Sequence, residues 1–459
     1  MKSFNVTMLF VLLGILSPAA AVILGAADLP LRQIEDDSAL RAAIKDSWLI
    51  EAPSSALRNR PFTRTLAGGS PVQVRAEARG NEFTVVLARE WNGTFPGWAQ
   101  GSWVLTRLMD GAYQRIRIFL HSDPYTYIQF RPMENSGSGV SGAFAGNRDE
   151  AASGEKTLLD VVLYEAYVVR GLPVGISMEN LITMPLNAIF DALGARFPAR
   201  YFEPDPDMYR DSRELVSRVR AGLPGLEFAD DGAVDENGRY VYINTLAPQN
   251  AGENTGGLNC SGFTKWFVDG LLYPVTGRLL PITPLKKASA KSGSSLSANY
   301  ADIRDPQFGL DWTRNLAMEA AKALGLPAAL EEVELRDGTF AALIDRRGGQ
   351  TSVKSYPAFL PGAGFGIEGL KALLYTLAVN EPGYIYLASV NNETGPAPRM
   401  RRHYHDAVLI PYFNEFGVFQ TAVFESAAET SLNTFMARYP GQMVNLVRIL
   451  AESRFTGKP

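Results

Sequence analysis

The chain has 459 residues, more than one ordinary hydrophobic core organises, so two or three domains are expected. Hydrophobic residues make up 46% and charged residues 20%, which excludes a disordered chain. A formal net charge of −4 with no basic stripe excludes the electrostatic footprint of a nucleic-acid binder; the short cluster Arg399, Arg401 and Arg402 reads as a solvated loop.

Residues 1–21 have the layout of a secretory signal peptide. Lys2 supplies the positive start, Val6 to Leu16 is apolar apart from Thr7 and Gly14, and Ala19, Ala20 and Ala21 offer a small-residue cleavage site. The run is shorter than the roughly 20 residues a spanning helix needs. The expectation is an exported protein, periplasmic or extracellular, with no stable membrane span once the signal is cleaved.

A lead-in with a helical patch at Ala39–Asp46 is followed by β-type pattern. Strands are predicted at Val72–Glu77, Phe83–Ala88, Ser102–Leu108, Gln114–Leu120 and Thr126–Phe130, rich in Val, Ile, Phe, Tyr and Thr and separated by Gly, Asn and Asp. They predict an all-β domain over residues 52–135, a sandwich or an SH3-like barrel. The Gly- and Ser-rich run Asn135–Gly154 reads as its linker. Helical spacing over Thr157–Val169, Leu181–Leu193 and Met208–Leu223 predicts a helical linking region across 136–239. Asp235, Asn237 and Gly238 match a fragment of a calcium loop, but the full ligand series and closing Glu are missing, so an ordinary turn is expected.

Residues 240–459 read as an α+β domain. The predicted order is strand Tyr240–Thr245, a helix opening at Cys260, and an insertion at about 286–366. That insertion starts in the low-complexity run Lys286–Asn299 and carries a helix at Trp312–Leu324. A helix to Ala378 follows, then strands Tyr384–Val390, His405–Phe413 and Val418–Glu425, helix Glu429–Tyr439 and strand Val444–Leu450. Antiparallel strands in sequence, with helices on one side, make the α+β class.

The chemistry centres on the only cysteine. One cysteine forms no intramolecular disulfide, and a lone thiol in an exported chain is either buried and inert or kept for reaction. Its surroundings favour the second. Asn259 is a good helix cap, and Phe263, Trp266, Phe267 and Leu271 recur at helical spacing, so Cys260 opens a core-anchored helix. The positive end of the helix dipole and its unpaired N–H groups favour thiolate there. A thiol nucleophile also needs a base, and only His121, His403 and His405 are available. His121 lies in the β domain beside turn residues and reads as structural. The strand Asp406-Ala407-Val408-Leu409-Ile410 reads as apolar on both faces and central, and His405, at its mouth, is preferred over His403. An acceptor for the second ring nitrogen is expected on the next strand. A four-residue turn puts Ser426 opposite His405, and a turn one residue shorter puts Glu425 there. Glu425, a carboxylate, is the better acceptor chemically. Three histidines and one cysteine are poor material for a zinc site, so no metal and no cofactor are expected.

The segment Gly257-Leu258-Asn259-Cys260-Ser261-Gly262-Phe263 resembles the Asp-Cys-Ser-Gly-Phe signature of the NlpC family of papain-like cysteine peptidases. Pro382-Gly383-Tyr384 resembles that family's Pro-Gly-Asp strand, and His405 to Ile410 its His-Val-Gly-Ile-Tyr strand. The closing Phe424-Glu425-Ser426, helix and Val444–Ile449 strand are similar to divergent, YiiX-like members, in which a glutamate stands third. The resemblance covers roughly 240–285 and 367–452. It implies a papain-like fold with the cysteine helix packed on an antiparallel sheet, and Cys260, His405 and Glu425 as catalytic residues. It further implies substrate contacts at Asn259, Ser261 and Tyr242, the last as the family's upstream tyrosine, and an oxyanion donor in the Cys260 N–H. Asn259 and Tyr384 each replace a family aspartate. The expected activity is cleavage of an amide bond by an exported cysteine hydrolase, with a cell-wall peptide or another amide as substrate. Two other readings stand beside it: a non-catalytic envelope binding protein on the same fold, and a lipid-directed amidase or acyltransferase. The sequence does not speak to oligomeric state.

Overall fold

The computed structural model describes residues 28–133, 157–250, 252–289, 306–336, 359–395, 397, 399–451 and 453–457, and the backbone of 342–345 and 352–355. The signal peptide, the linker at Asn135–Gly154 and most of the low-complexity run after Lys286 lie outside these residues. The protein is mixed α+β; among the described residues it is built on two antiparallel sheets of ten and six strands and two small strand pairs.

The N-terminal part opens with helices α1 (Ser38–Ile44) and α2 (Pro53–Ala56). Eight strands then run in sequence: β1 (Phe62–Thr65), β2 (Pro71–Arg79), β3 (Glu82–Arg89), β4 (Trp103–Leu108), β5 (Tyr113–Ile118), β6 (Tyr127–Pro132), β7 (Thr157–Leu163) and β8 (Ala166–Pro173). Each pairs antiparallel with the next. In place of the expected sandwich or SH3-like barrel over 52–135, these strands form a single meander that runs on to Pro173, with no second large sheet of its own among the described residues. The predicted helix at Thr157–Val169 is also corrected, to the hairpin β7–β8. Leu159, Val161 and Leu163 alternate into the core, and Tyr164 and Glu165 take positive φ at the turn. Short apolar runs fit either period, and here strand pairing with β6 decides. Helices α3 (Met178–Leu181) and α4 (Leu186–Leu193) pack with α1 on the inner face. Buried Arg41 ties them, donating to Asp37 and to the carbonyls of Leu181, Ile182 and Met184.

Helix α5 (Arg210–Gly222) leads to the short strands β9 (Glu227–Phe228), β10 (Gly232–Val234), β11 (Tyr240–Tyr242) and β12 (Gly257–Leu258). The acidic turn between β10 and β11 is an ordinary turn: the Asp235 carboxylate accepts from Asn237 N, Arg239 N and the Arg239 guanidinium. Helix α6 (Cys260–Thr276) follows, capped at its end by Gly277 with φ 68°. Then come α7 (Ile282–Leu285), α8 (Phe308–Ala323), α9 (Leu330–Val333), β13 (Ala342–Asp345), β14 (Ser352–Ser355) and β15 (Phe365–Gly366). Strand β13 pairs with β8, so part of the insertion extends the N-terminal sheet.

The chain ends with α10 (Leu370–Asn380), β16 (Tyr384–Thr394), β17 (Met400–Phe413), β18 (Phe419–Glu425), β19 (Ala428–Ser431), α11 (Leu432–Arg438) and β20 (Met443–Leu450). The predicted helix at Glu429 begins only at Leu432, because Ser426 and Ala427, both at positive φ, turn the chain into β19. Sheet order is β15-β20-β16-β17-β18-β19, with β16 and β17 central. Helices cover both faces, not one. Ile385, Leu387, Val408 and Ile410 face α6 and α8, whereas Tyr386, Ala388, Ala407 and Leu409 face α10 and α11. Strands buried on both sides need near-continuous apolar sequence, which β17 supplies from Ala407 to Ile410. Tyr375 and Ala378 of α10 reach the other way into the N-terminal core, joining the two layers.

Candidate active site

Asn259 caps α6: its side chain accepts from Gly262 N at 2.7 Å, and Cys260 is the first helical residue. The stripe Phe263, Trp266, Phe267 and Leu271 is buried to 2% exposure or less. Glycines bring this helix start against its neighbours. A Cβ at Gly262 would collide with the Gly232 carbonyl, and one at Gly257 would lie 2.6 Å from the Phe228 carbonyl carbon. The result is a closely packed helix N-terminus that opens on the partly buried Cys260.

His405 sits on β17, opposite Val390 of β16, next to a bulge that makes His403 the partner of Asn391. The bulge separates the two histidines. His403 is 6% exposed; its Nε2 donates to the Gly362 carbonyl at 3.0 Å and its Nδ1 lies 3.2 Å from Ser389 Oγ. Burial pushes its pKa down to about 3, with the Gly362 bond opposing, so it is a neutral structural ring. His405 behaves in the opposite way. Burial works against its charge, but hydrogen bonding and attraction from Cys260 and from Glu425 outweigh burial and hold the ring at about 9. Its Nε2 meets Glu425 Oε2 at 2.6 Å, which leaves Nδ1 for the sulfur.

Both registers weighed from the sequence are corrected. The turn leaves five residues, 414–418, between paired Phe413 and Phe419, and Val408 stands opposite Phe424. His405 and Glu425 therefore meet diagonally across the sheet rather than face to face, a distance long side chains bridge. Glu425 is 5% exposed, and Arg438 of α11 bonds its other oxygen. Burial raises the Glu425 pKa, but bonds from His405 and Arg438 carry it below the ordinary carboxylate value. The Tyr439 ring lies 5.6 Å from that of His405 and walls its side.

The three residues expected to touch substrate fall differently. Asn259 spends its side-chain oxygen on the helix cap. Ser261 is 4% exposed and donates to Asp406 Oδ2 at 2.6 Å, so it faces the sheet and not the solvent. Tyr242 is 39% exposed, opposite Gly232, whose carbonyl accepts Asn259 N; among the described residues it makes no hydrogen bond to Cys260 or His405. His121, expected to be structural, bonds Asp28 at 3.1 Å and stacks on Phe202. Arg438, Tyr439 and Asp406 were not singled out by sequence. Asp406 alone left a signal, as an acid at the head of an apolar strand. No cluster of His, Cys, Asp and Glu among the described residues has the make-up of a metal site, and no helix among them is long and apolar enough to cross a membrane.

Residues 30–201 match the family model described as "Domain of unknown function (DUF8515)". The match spans β1 to β8 with α1 to α4 and ends before Cys260. No curated protein and no solved structure matches the chain.

Proposed function

We propose that the protein is an exported cysteine hydrolase of papain-like, NlpC type that cleaves an amide bond through Cys260, His405 and Glu425. The observation that carries this reading is the His405 ring, held between the Cys260 sulfur and the Glu425 carboxylate. In the reaction, Cys260 Sγ attacks the substrate carbonyl carbon while the Cys260 N–H stabilises the oxyanion. His405 gives its proton to the leaving nitrogen as the C–N bond breaks, leaving a thioester. Water then loses a proton to His405 and attacks the thioester, the C–S bond breaks, and the carboxylic acid leaves. Glu425, itself fixed by Arg438, keeps the ring oriented and stabilises the imidazolium.

The substrate class follows from the resemblance and is a bacterial cell-wall peptide. Digestion of purified wall fragments by wild type and Cys260→Ala, read by mass spectrometry, tests it. New amine and carboxylate ends with wild type alone support the reading. Intact fragments alongside cleavage of lipid amides would move the substrate to lipids and keep the chemistry. Inactivity on every amide or ester, with a thiol that iodoacetamide does not alkylate in the folded protein, would leave a binding protein.

A further inference from the structure

Each of the two reacting residues is followed in the chain by a residue that bonds its counterpart. Ser261 follows Cys260, Asp406 follows His405, and Ser261 Oγ donates to Asp406 Oδ2 at 2.6 Å. Both are buried, at 4% and 1% exposure. Around them the first turns of α6 and α8 and the strands β16 and β17 close tightly. Trp312 Nε1 and Thr264 Oγ1 each donate to the Ser261 carbonyl at 2.8 Å, which fixes the peptide bearing that hydroxyl. Gly309 lets α8 approach: a Cβ there would lie 2.8 Å from Asp406 Oδ1, 3.0 Å from Ser389 Oγ and 3.1 Å from the His403 carbonyl. Pro306, just before α8, accepts from His403 N at 2.8 Å.

A carboxylate here is costly. Burial raises the Asp406 pKa to about 6, against the pull of the Ser261 bond. The strand is apolar just beyond it, from Ala407 to Ile410, and the resembling histidine strand carries valine at this position. A buried ionic group replaced by a well-packed apolar one commonly leaves stability unchanged or improved. The acid is therefore poorly explained by stability, and well explained by what its bond spans.

We infer that the Ser261–Asp406 hydrogen bond is a positioning device that fixes the Cys260 sulfur and the His405 ring at working distance. This rests on the proposed dyad. Apolar contacts between a strand and a helix start are non-directional and tolerate small sliding. A short, buried hydrogen bond one residue from each reacting group does not. Ser261 and Asp406 touch no substrate; they act through their neighbours.

The test is the pH dependence of iodoacetamide alkylation of the full chain, whose single thiol makes the reading unambiguous. An ordinary thiol with a pKa of about 8.5 is about 1% thiolate at pH 6.5, so loss of the pair can slow alkylation there by at most about 100-fold. Ser261→Ala and Asp406→Ala both cut the bond and are expected to move the profile toward that of the ordinary thiol. Asp406→Ala also removes a buried charge, so it keeps the measurement possible where Ser261→Ala does not fold. Asp406→Asn keeps an acceptor for Ser261 without the charge, and is expected to restore the wild-type profile. Near-ultraviolet circular dichroism checks that each variant is folded. A folded Asp406→Ala variant with an unchanged profile overturns the inference. So does an Asp406→Asn profile displaced as far as that of Asp406→Ala, which would assign the effect to charge rather than to position. An ordinary-thiol profile in wild type itself would sink the dyad, and the positioning role with it.

Discussion

Replacing Glu425 by Gln preserves the size of the side chain and an acceptor but removes its charge from the His405 ring 2.6 Å away. The two side chains are 6% and 15% exposed, so water screens this pair little. His405 stands at about 9 against an ordinary 6.5. That rise is worth about 3.4 kcal/mol at 1.36 kcal/mol per unit, net of the burial that opposes it. Cys260 and Glu425 share the stabilisation, and an adjacent opposite charge typically accounts for about 1–3 units. The variant's His405 midpoint is therefore expected at about 6–8. Arg438, left without its partner, is half-exposed and returns to water. Histidine-labelled NMR titration reads this directly, because the chain has only three histidines. In wild type, His405 should titrate near 9, and His403 should stay neutral down to about pH 3. The same shift is a stability term. The raised folded value means that stability is fully present below 6.5 and lost as pH rises through 9, and Glu425→Gln should flatten that loss. A His405 midpoint near 6.5 in wild type, or an unchanged midpoint in the variant, would refute the reasoning.

Two further outcomes follow from the same layers. His403 is depressed to about 3, so the unfolded chain alone takes up its proton below 6.5. Stability should fall by about 1.4 kcal/mol per pH unit from that point, and His403→Gln should remove this slope in urea titrations at pH 6.5 to 4; identical slopes would contradict the assignment. Within α6, fully buried Lys265 meets Asp269 at 2.5 Å, and Asp269 also accepts from Leu280 N at 2.7 Å. Lys265→Met should cost about 3–5 kcal/mol in chemical denaturation, because the Asp269 charge is left alone in the core. The double variant with Asp269→Leu should recover much of that, and a single variant as stable as wild type would show that the pair is not charged.

The local signals of the site were legible because each rests on short-range chemistry. A capping Asn259 before a helical stripe marks where Cys260 stands, and an apolar strand headed by a polar residue marks His405. The diagonal meeting with Glu425 was not legible. It depends on a five-residue turn after Phe413, and one residue either way moves every partner. The packing of the insertion's helix was not legible for a related reason. Its sequence is interrupted by a low-complexity run, yet Trp312 and Leu316 of α8 are fully buried beside α6, and Gly309 touches the strand of both histidines. Apolar spacing announces a helix but not the surface it covers. The hairpin Thr157–Pro173 shows the same limit, since its apolar run satisfies both periods until β6 supplies a partner.

Asn259 joins the cap to the chemistry, and Asn259→Asp separates the two. An aspartate would accept from Gly262 N in the same geometry and place a full negative charge at the helix start, where the dipole favours it by about 0.3–1 kcal/mol. Thermal stability should therefore hold or rise slightly. The same charge would stand one residue from the Cys260 sulfur and compete with a thiolate for the positive end of α6. Like charges at such range disfavour each other's ionised form, so alkylation of Cys260 at pH 6 should slow while the fold is intact. An aspartate in this place is tolerable to a thiolate when a bound cation offsets it, as a free amine on a substrate would. Asn259 needs no such partner. The variant should accordingly be slowed less when a primary amine is present at saturating concentration, and wild type should be indifferent to it. Equal slowing with and without amine would show that the residue is a cap and nothing more.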